Sequence, residues 1–174
     1  MEFVDYKCLE SLLIEGEEMI ATEATEDYQK IKVNFFNKVW NNVKVSIRKN
    51  VNIEEANKQI DMFVKNSTKL SKEIESEFCQ ACYDTMYMWN DDMYPIKKYS
   101  DIKPDSHYSW ANLQINYIIA TDMYDRKNKC SSGKVGLIIC GEWPADPEHG
   151  WCFGYHDGKW NHDIREFDNC LDLF

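Results

Sequence analysis

Hydrophobic and polar residues alternate along three stretches of the chain, a pattern that indicates strands with one buried face. The alternating apolar positions are Ile31, Val33, Phe35, Val43, Val45, Ile47, Leu113, Ile115, Tyr117 and Ile119. Within each stretch we expect these side chains to share one face of a strand. The first two strands are predicted to be antiparallel and joined near residues 37–42. A mostly solvated strand is predicted near residues 19–24.

Between these strands the hydrophobic period changes to about 3.6 residues, which indicates two amphipathic helices. Asn52 and Glu55 have the spacing of an N-terminal cap pair. A break is expected at residues 66–68, and Pro95 is expected to end the second helix. The predicted buried stripes are Ile53, Ala56, Ile60, Phe63 and Val64 on the first helix, and Leu70, Ile74, Phe78, Cys82, Met86 and Trp89 on the second.

The segment from Val135 to Ile164 predicts a strand, a Pro-rich acidic loop at residues 141–150 and a β-hairpin. The hairpin is expected to turn at Asp157-Gly158, because both residues tolerate the positive φ of a two-residue turn. Such a turn pairs His156 with Lys159, Tyr155 with Trp160, Phe153 with His162, and Trp151 with Ile164. The face predicted to be buried carries Trp151, Phe153, Tyr155, Trp160, His162 and Ile164.

The order of the elements is strands, two helices and then four strands. This order predicts an α+β fold with a largely antiparallel sheet and a two-helix layer on one face. A chain of 174 residues is expected to form a single domain over residues 1–174, with residues 1–27 as an acidic N-terminal arm.

The composition favours a globular protein that does not bind nucleic acid. The formal net charge is −10, whereas binding to phosphates needs clustered Lys and Arg. No signal peptide or membrane-spanning run is visible, so we expect a soluble, cytoplasmic protein without membrane contact. The seven cysteines are spread along the chain and are expected to be reduced thiols. A basic protein partner is compatible with the negative charge.

Positive signs of catalysis are few. No nucleophile elbow, phosphate-binding loop or zinc-protease motif occurs. The pair Cys79-x-x-Cys82 falls in the middle of a predicted helix, so a buried apolar role for Cys82 is favoured over zinc or redox chemistry. We therefore predict no enzyme activity, cofactor or metal. The alternative is a small enzyme or metal-dependent hydrolase that uses Glu148 and His149 as base or ligands.

The segment GEWPADPEHGW, from Gly141 to Trp151, precedes a strand and the turn Asp157-Gly158-Lys159. In this respect the chain resembles an uncharacterised bacterial domain family with a C-terminal Trp-Asp-x-Glu-His-Gly type loop and hairpin. The specific similarity covers about the last 40 residues. Domains of this kind are similar to the immunity proteins of bacterial toxin systems. The resemblance implies a single-domain α+β protein that binds and blocks a cognate toxin.

We therefore predict an immunity-type protein that neutralises a cognate toxin by protein–protein contact, and the negative charge of the chain is compatible with a basic toxin. Aromatic side chains anchor such interfaces and acidic ones attract basic partners. The candidate contact residues are Glu142, Trp143, Asp146, Glu148 and Trp151. A further alternative is a structural or self-associating protein that uses the apolar hairpin face, and the oligomeric state stays open.

Overall fold

The computed structural model describes residues 29–36, 38–49, 51–88, 113–125, 127–143, 146–166 and 173. Its elements are β1 (Gln29–Phe35), β2 (Lys38–Ile47), α1 (Ile53–Glu73), α2 (Glu75–Met88), β3 (Gln114–Asp125), β4 (Cys130–Trp143), β5 (Asp146–His156) and β6 (Lys159–Arg165). The acidic arm, the strand predicted near residues 19–24, Trp89 and Pro95 lie outside the described residues.

The six strands form one sheet in the order β1-β2-β3-β4-β5-β6. All neighbouring strands are antiparallel except β2 and β3, which are parallel. The two helices make the crossover that a parallel pair requires. They pack with one face of the sheet around a single large apolar cluster. The predicted α+β fold with a mainly antiparallel sheet is thus confirmed.

The first helix begins as predicted but ends later. The side chain of Asn52 accepts a hydrogen bond from the backbone N–H of Glu55 at 3.0 Å, which caps the helix. The break predicted at residues 66–68 is wrong, since α1 continues to Glu73. Ser67 fits inside the helix because its hydroxyl donates to the carbonyl of Val64 at 2.9 Å.

The predicted apolar stripes are buried or partly buried, with one exception. Ile53 lies at the first position of α1 and is 64% exposed. The other stripe residues whose side chains the structure describes pack in the large cluster, and they are Ala56, Ile60, Phe63, Val64, Leu70, Ile74, Phe78 and Cys82. Helical periodicity therefore identified the packed faces correctly beyond the first turn.

Strand β3 changes the face that its apolar residues present. The β3–β4 register shifts between Ile115 and Tyr117, which marks a bulge. As a result Ile118 and Ala120 join the cluster on the helix side, whereas Ile119 packs on the opposite face of the sheet with Tyr117 against it. The expectation that Tyr117 and Ile119 share a face with Ile115 is wrong.

The C-terminal hairpin turns where predicted. His156 pairs with Lys159 and Tyr155 with Trp160, and both Asp157 (φ 47°) and Gly158 (φ 80°) have positive φ. Beyond that point the register shifts by two residues, so that Phe153 pairs with Ile164 and not with His162.

The shift lies in β6, where His162 has φ 57°. The side chain of Asn161 accepts the hydrogen bond of the Gly154 N–H at 3.0 Å. A two-residue shift preserves the alternation of faces, so Trp160 and Ile164 still pack in the helix-side core. His162 is exposed, and its predicted burial is wrong.

Residues 141–150 are largely strand, not the loop that Pro and acidic residues suggested. Strand β4 extends to Trp143 and β5 begins at Asp146, and these two residues pair across the connection. The two strands therefore form a second hairpin that carries all five predicted contact residues.

A buried amide joins α1 to the Asp157-Gly158 turn. Gln59 is fully buried, and its side-chain amide donates to carboxylate oxygens of Asp157 at 2.7 Å and Glu55 at 2.9 Å. Its carbonyl accepts the backbone N–H of Asp157 at 3.0 Å. The hydrogen bond from Gln59 is the main cause that lowers the pKa of Asp157 from its ordinary value of 3.8.

We expect Gln59→Leu to lower the free energy of unfolding by about 1–2 kcal/mol, because the turn loses its hydrogen-bond partners. The pKa of Asp157 should rise toward 3.8. Interactions that lower the pKa of a carboxyl group in the folded state stabilise the fold at pH values above the pKa of that group in the unfolded chain. This contribution is lost as the pH falls through the pKa of the group in the folded state. The variant should lose less stability at acid pH for that reason. An NMR pH titration of Asp157 and urea unfolding measure both effects.

Lys58→Ala is the matched control for the unfolding measurement on Gln59→Leu. The Lys58 side chain is 62% exposed in its ion pair with Glu55, and removal of such a pair costs at most about 1 kcal/mol. An unchanged titration of Asp157 in Gln59→Leu would show that the amide does not hold the turn.

Candidate functional site

The two predicted contact tryptophans lie in the interior. Trp143 is 3% exposed and Trp151 is fully buried. Both rings meet Phe78 of α2 edge to face, with centroid distances of 6.2 Å and 5.0 Å. The indole N–H of Trp151 donates to the backbone carbonyl of Glu142 at 3.0 Å. In this conformation they anchor α2 to the β4–β5 hairpin.

Asp146 organises the start of β5 from a buried position. Its side chain is 5% exposed, and Oδ1 accepts the backbone N–H groups of Glu148 at 3.3 Å and His149 at 3.0 Å. Both carboxylate oxygens also lie 3.1 Å from Nδ1 of His149. Such bonds shape the connection and orient the imidazole ring.

The two predicted glutamates differ in exposure. Glu142 is half-buried and accepts a hydrogen bond from the Asn116 side chain at 3.0 Å. Burial raises the pKa of the Glu142 carboxyl above its ordinary value. Glu148 is exposed. Among the five predicted contact residues, Glu148 and part of Glu142 are thus accessible on the surface of the chain.

Exposed acidic side chains lie on α2, the helix that packs against Trp143 and Trp151 of the β4–β5 hairpin, and the contact residues predicted from sequence did not include them. Glu75, Glu77 and Asp84 of α2 are exposed, and the helix sequence ESEFCQACYDTMYM contains no basic residue. Phe78 holds this helix against Trp143 and Trp151. The absence of Lys and Arg over residues 75–88 was the signal that could have identified these acidic residues.

We use the name acidic region for the exposed side chains of Glu75, Glu77, Asp84 and Glu148. Glu148 belongs to the beginning of β5, whereas the Asp157 turn and its partner Gln59 lie at the opposite end of that strand. The first half of α1 is therefore remote from Glu148 along β5. The exposed carboxylates of the acidic region would attract a basic partner.

Three further side chains that could carry chemistry, those of Cys82, His156 and His162, have other surroundings than His149. Burial raises the pKa of the Cys82 thiol to about 12, which disfavours the reactive thiolate. Nδ1 of His156 lies 2.8 Å from the carbonyl oxygen of Val135, and His162 of β6 packs beside Trp160. Over the described ranges, no three His, Cys, Asp or Glu side chains are grouped closely enough to hold a metal ion.

Neither α1 nor α2, the two helices in the part of the chain that the structure describes, has the length and apolar character needed to cross a membrane. Comparisons with protein-family models, curated proteins and solved structures gave no match to this chain.

Proposed function

We propose that this chain is an immunity-type protein that acts in the cytoplasm, where it binds a basic surface of a cognate toxin and blocks it. The observation that carries the proposal is the set of exposed acidic side chains on α2, a helix that Phe78 packs against the hairpin that bears Glu148. The contact surface is the acidic region, with Glu142 at its edge. This revises the interface suggested by sequence toward residues that a partner can reach.

Charge supports this proposal. The chain carries a net charge of −10, and α2 contributes acids that no base on the same helix neutralises. A concentrated negative surface speeds encounter with a positively charged partner and disfavours other acidic proteins. The packed aromatic residues beneath α2 hold these acids on a rigid element, which lowers the entropic cost of binding.

Viability of a bacterial host tests the proposal directly. The reading frame immediately upstream of this gene is expressed alone and together with this protein. We expect killing by the upstream product and rescue only when this chain is present. A harmless neighbour, or killing that this chain does not relieve, would overturn the proposal.

Charge reversal locates the contact surface. We expect Glu77→Lys combined with Glu148→Lys to slow association with the toxin by about tenfold or more, because electrostatic steering is lost. Both residues are exposed, so urea unfolding should be nearly unchanged. Stopped-flow association at low and high salt measures the effect, which should shrink at high salt.

The matched control is Glu54→Lys combined with Asp61→Lys on α1. It makes the same change in net charge, and Glu54, like Glu77, lies in the first turn of its helix. We expect at most about a threefold change in association rate, since only the long-range field is altered. Equal slowing by both double variants would remove the acidic region from the interface.

One observation favours a second candidate function, an enzyme that uses Glu148 and His149. The contact of His149 Nδ1 with both oxygens of Asp146 is an arrangement that can orient an imidazole as a general base. This candidate requires a hydrolytic turnover on ester or phosphate substrates that is lost in both Glu148→Ala and His149→Ala.

Self-association through the apolar hairpin face is disfavoured by the packing. Trp151, Phe153, Tyr155 and Trp160 are buried in the same cluster as residues of α1 and α2. The surface that this alternative needs is therefore covered by helices of the same chain.

A further inference from the structure

Two cysteines face one another across the sheet. Cys140 of β4 and Cys152 of β5 are direct partners in the antiparallel register. Their side chains are 1% and 0% exposed and belong to the small cluster on the side of the sheet opposite the helices. Directly opposed residues in an antiparallel pair have Cα atoms about 4.5–5.5 Å apart. Disulfides need Cα separations of about 4.4–6.8 Å, so the backbone already meets this requirement.

The sulfur atoms of Cys140 and Cys152 each contact a backbone carbonyl group, one on either side of the β4–β5 pair. Sγ of Cys140 lies 3.6 Å from the carbonyl oxygen of Tyr117 on β3, whereas Sγ of Cys152 lies 3.4 Å from that of Glu166, which follows β6. Both cysteines are in the thiol form. Rotation about the Cα–Cβ bonds would turn both sulfur atoms toward each other, because the side chains leave the sheet on the same face.

We propose that Cys140 and Cys152 form a reversible intramolecular disulfide, a redox modification site that is separate from the acidic region. The oxidant is a low-molecular-weight disulfide such as oxidised glutathione. Both thiols are buried, so the reaction proceeds through transient local opening, in which one cysteine thiolate attacks the oxidant, forming a mixed disulfide and releasing one glutathione thiol. The second cysteine thiolate then displaces the other glutathione. The protein loses two electrons and two protons, one S–S bond forms, and the S–S bond of the oxidant is replaced by two thiols.

Oxidation would change contacts that involve Glu166 and Leu173, which follow β6 in the chain. The disulfide removes the Cys152 thiol from the carbonyl of Glu166. It also changes the packing of the cluster that includes Leu173. Reduction by glutathione or dithiothreitol restores both thiols, so the site can report the redox state without loss of the fold.

The chain contains its own control for this chemistry. Cys79 and Cys82 are also close in sequence, but they lie within one continuous helix and not across a ladder. Cys82 is buried to the same extent as Cys140 and Cys152, so burial does not distinguish the two pairs, whereas Cys140 and Cys152 have the direct cross-strand register that a disulfide can bridge. We therefore expect the cross-strand pair to be oxidised selectively.

Peptide mapping tests the proposal. The full chain with Cys130→Ser, which removes an exposed cysteine, is incubated with oxidised glutathione, alkylated and digested with trypsin. Cys140 and Cys152 fall in one tryptic peptide, Val135–Lys159, and Cys79 and Cys82 fall in another, Glu73–Lys97. We expect the first peptide to lose two hydrogen atoms and resist alkylation, and the second to take up two alkyl groups. Dithiothreitol should restore alkylation of the first.

A second measurement is the thermal midpoint of unfolding. Oxidation should raise Tm by roughly 5 °C, because the disulfide restricts the unfolded chain, and Cys152→Ala should abolish that increase. Persistent alkylation of the first peptide, glutathione adducts in place of the internal bond, or equal oxidation of the Cys79–Cys82 peptide would each overturn the proposal.

Discussion

Gly141→Ala is expected to destabilise the protein more than any surface substitution, by at least about 3 kcal/mol. A Cβ atom on Gly141 would overlap the backbone carbonyl oxygen of Gln114 and lie 2.7 Å from its carbonyl carbon. These are backbone atoms of the neighbouring strand β3, so no side-chain rotation can relieve the overlap. The strands would have to separate beside the β3 bulge. Urea unfolding and the yield of soluble protein measure the loss.

Gly133→Ala is the matched control, since it changes the same residue type in the same strand. Gly133 has φ +70°, and a Cβ atom there would meet nothing within 4 Å. The cost should be about 1–2 kcal/mol, from the left-handed backbone conformation alone. If Gly141→Ala unfolded at the same urea concentration as Gly133→Ala, close approach of the β3 and β4 backbones would not be the reason for glycine at position 141.

Phe78→Ala is expected to lower the free energy of unfolding by about 3–5 kcal/mol, as for large buried aromatic side chains in general. The Phe78 ring is fully buried and contacts several aromatic rings of the same core cluster. These are the rings of Phe35, Phe36, Trp143, Trp151 and Phe153. Its removal should loosen α2 from the β4–β5 hairpin, which hydrogen exchange of α2 amides would detect.

Two controls separate packing from helix formation at this position. Phe78→Leu keeps most of the buried volume and should recover more than half of the loss. Ile53→Ala removes an apolar side chain that is 64% exposed and should cost no more than about 0.5 kcal/mol. Unchanged exchange of α2 amides in Phe78→Ala would contradict the role of this ring in positioning the acidic region.

Local signals predicted the elements well because they depend on neighbouring residues. The alternation at Val33 and Phe35, the cap formed by Asn52 and the positive φ at Gly158 all appear in the structure. The helix break was placed wrongly because Ser67 can bond within the helix, and a hydroxyl residue in sequence does not reveal which partner it takes.

The candidate site could be predicted only in part. Contact residues were predicted in the segment that holds Glu142, Asp146 and Glu148, and Glu148 is exposed there. The segment was predicted to be a loop because Pro and acidic residues are typical of loops. Asp146 instead has backbone and imidazole partners that make its burial favourable. Such partners become visible only when the strands are paired.

The sequence by itself determined the fold class, the buried helix stripes and the turn at Asp157-Gly158, because periodicity and turn chemistry act over a few residues. The tertiary structure alone decided the bulge before Tyr117, the register of β6, the placement of acidic α2 beside the hairpin and the pairing of Cys140 with Cys152. These features depend on contacts between distant segments. A shift of register changes those contacts without any change in local composition.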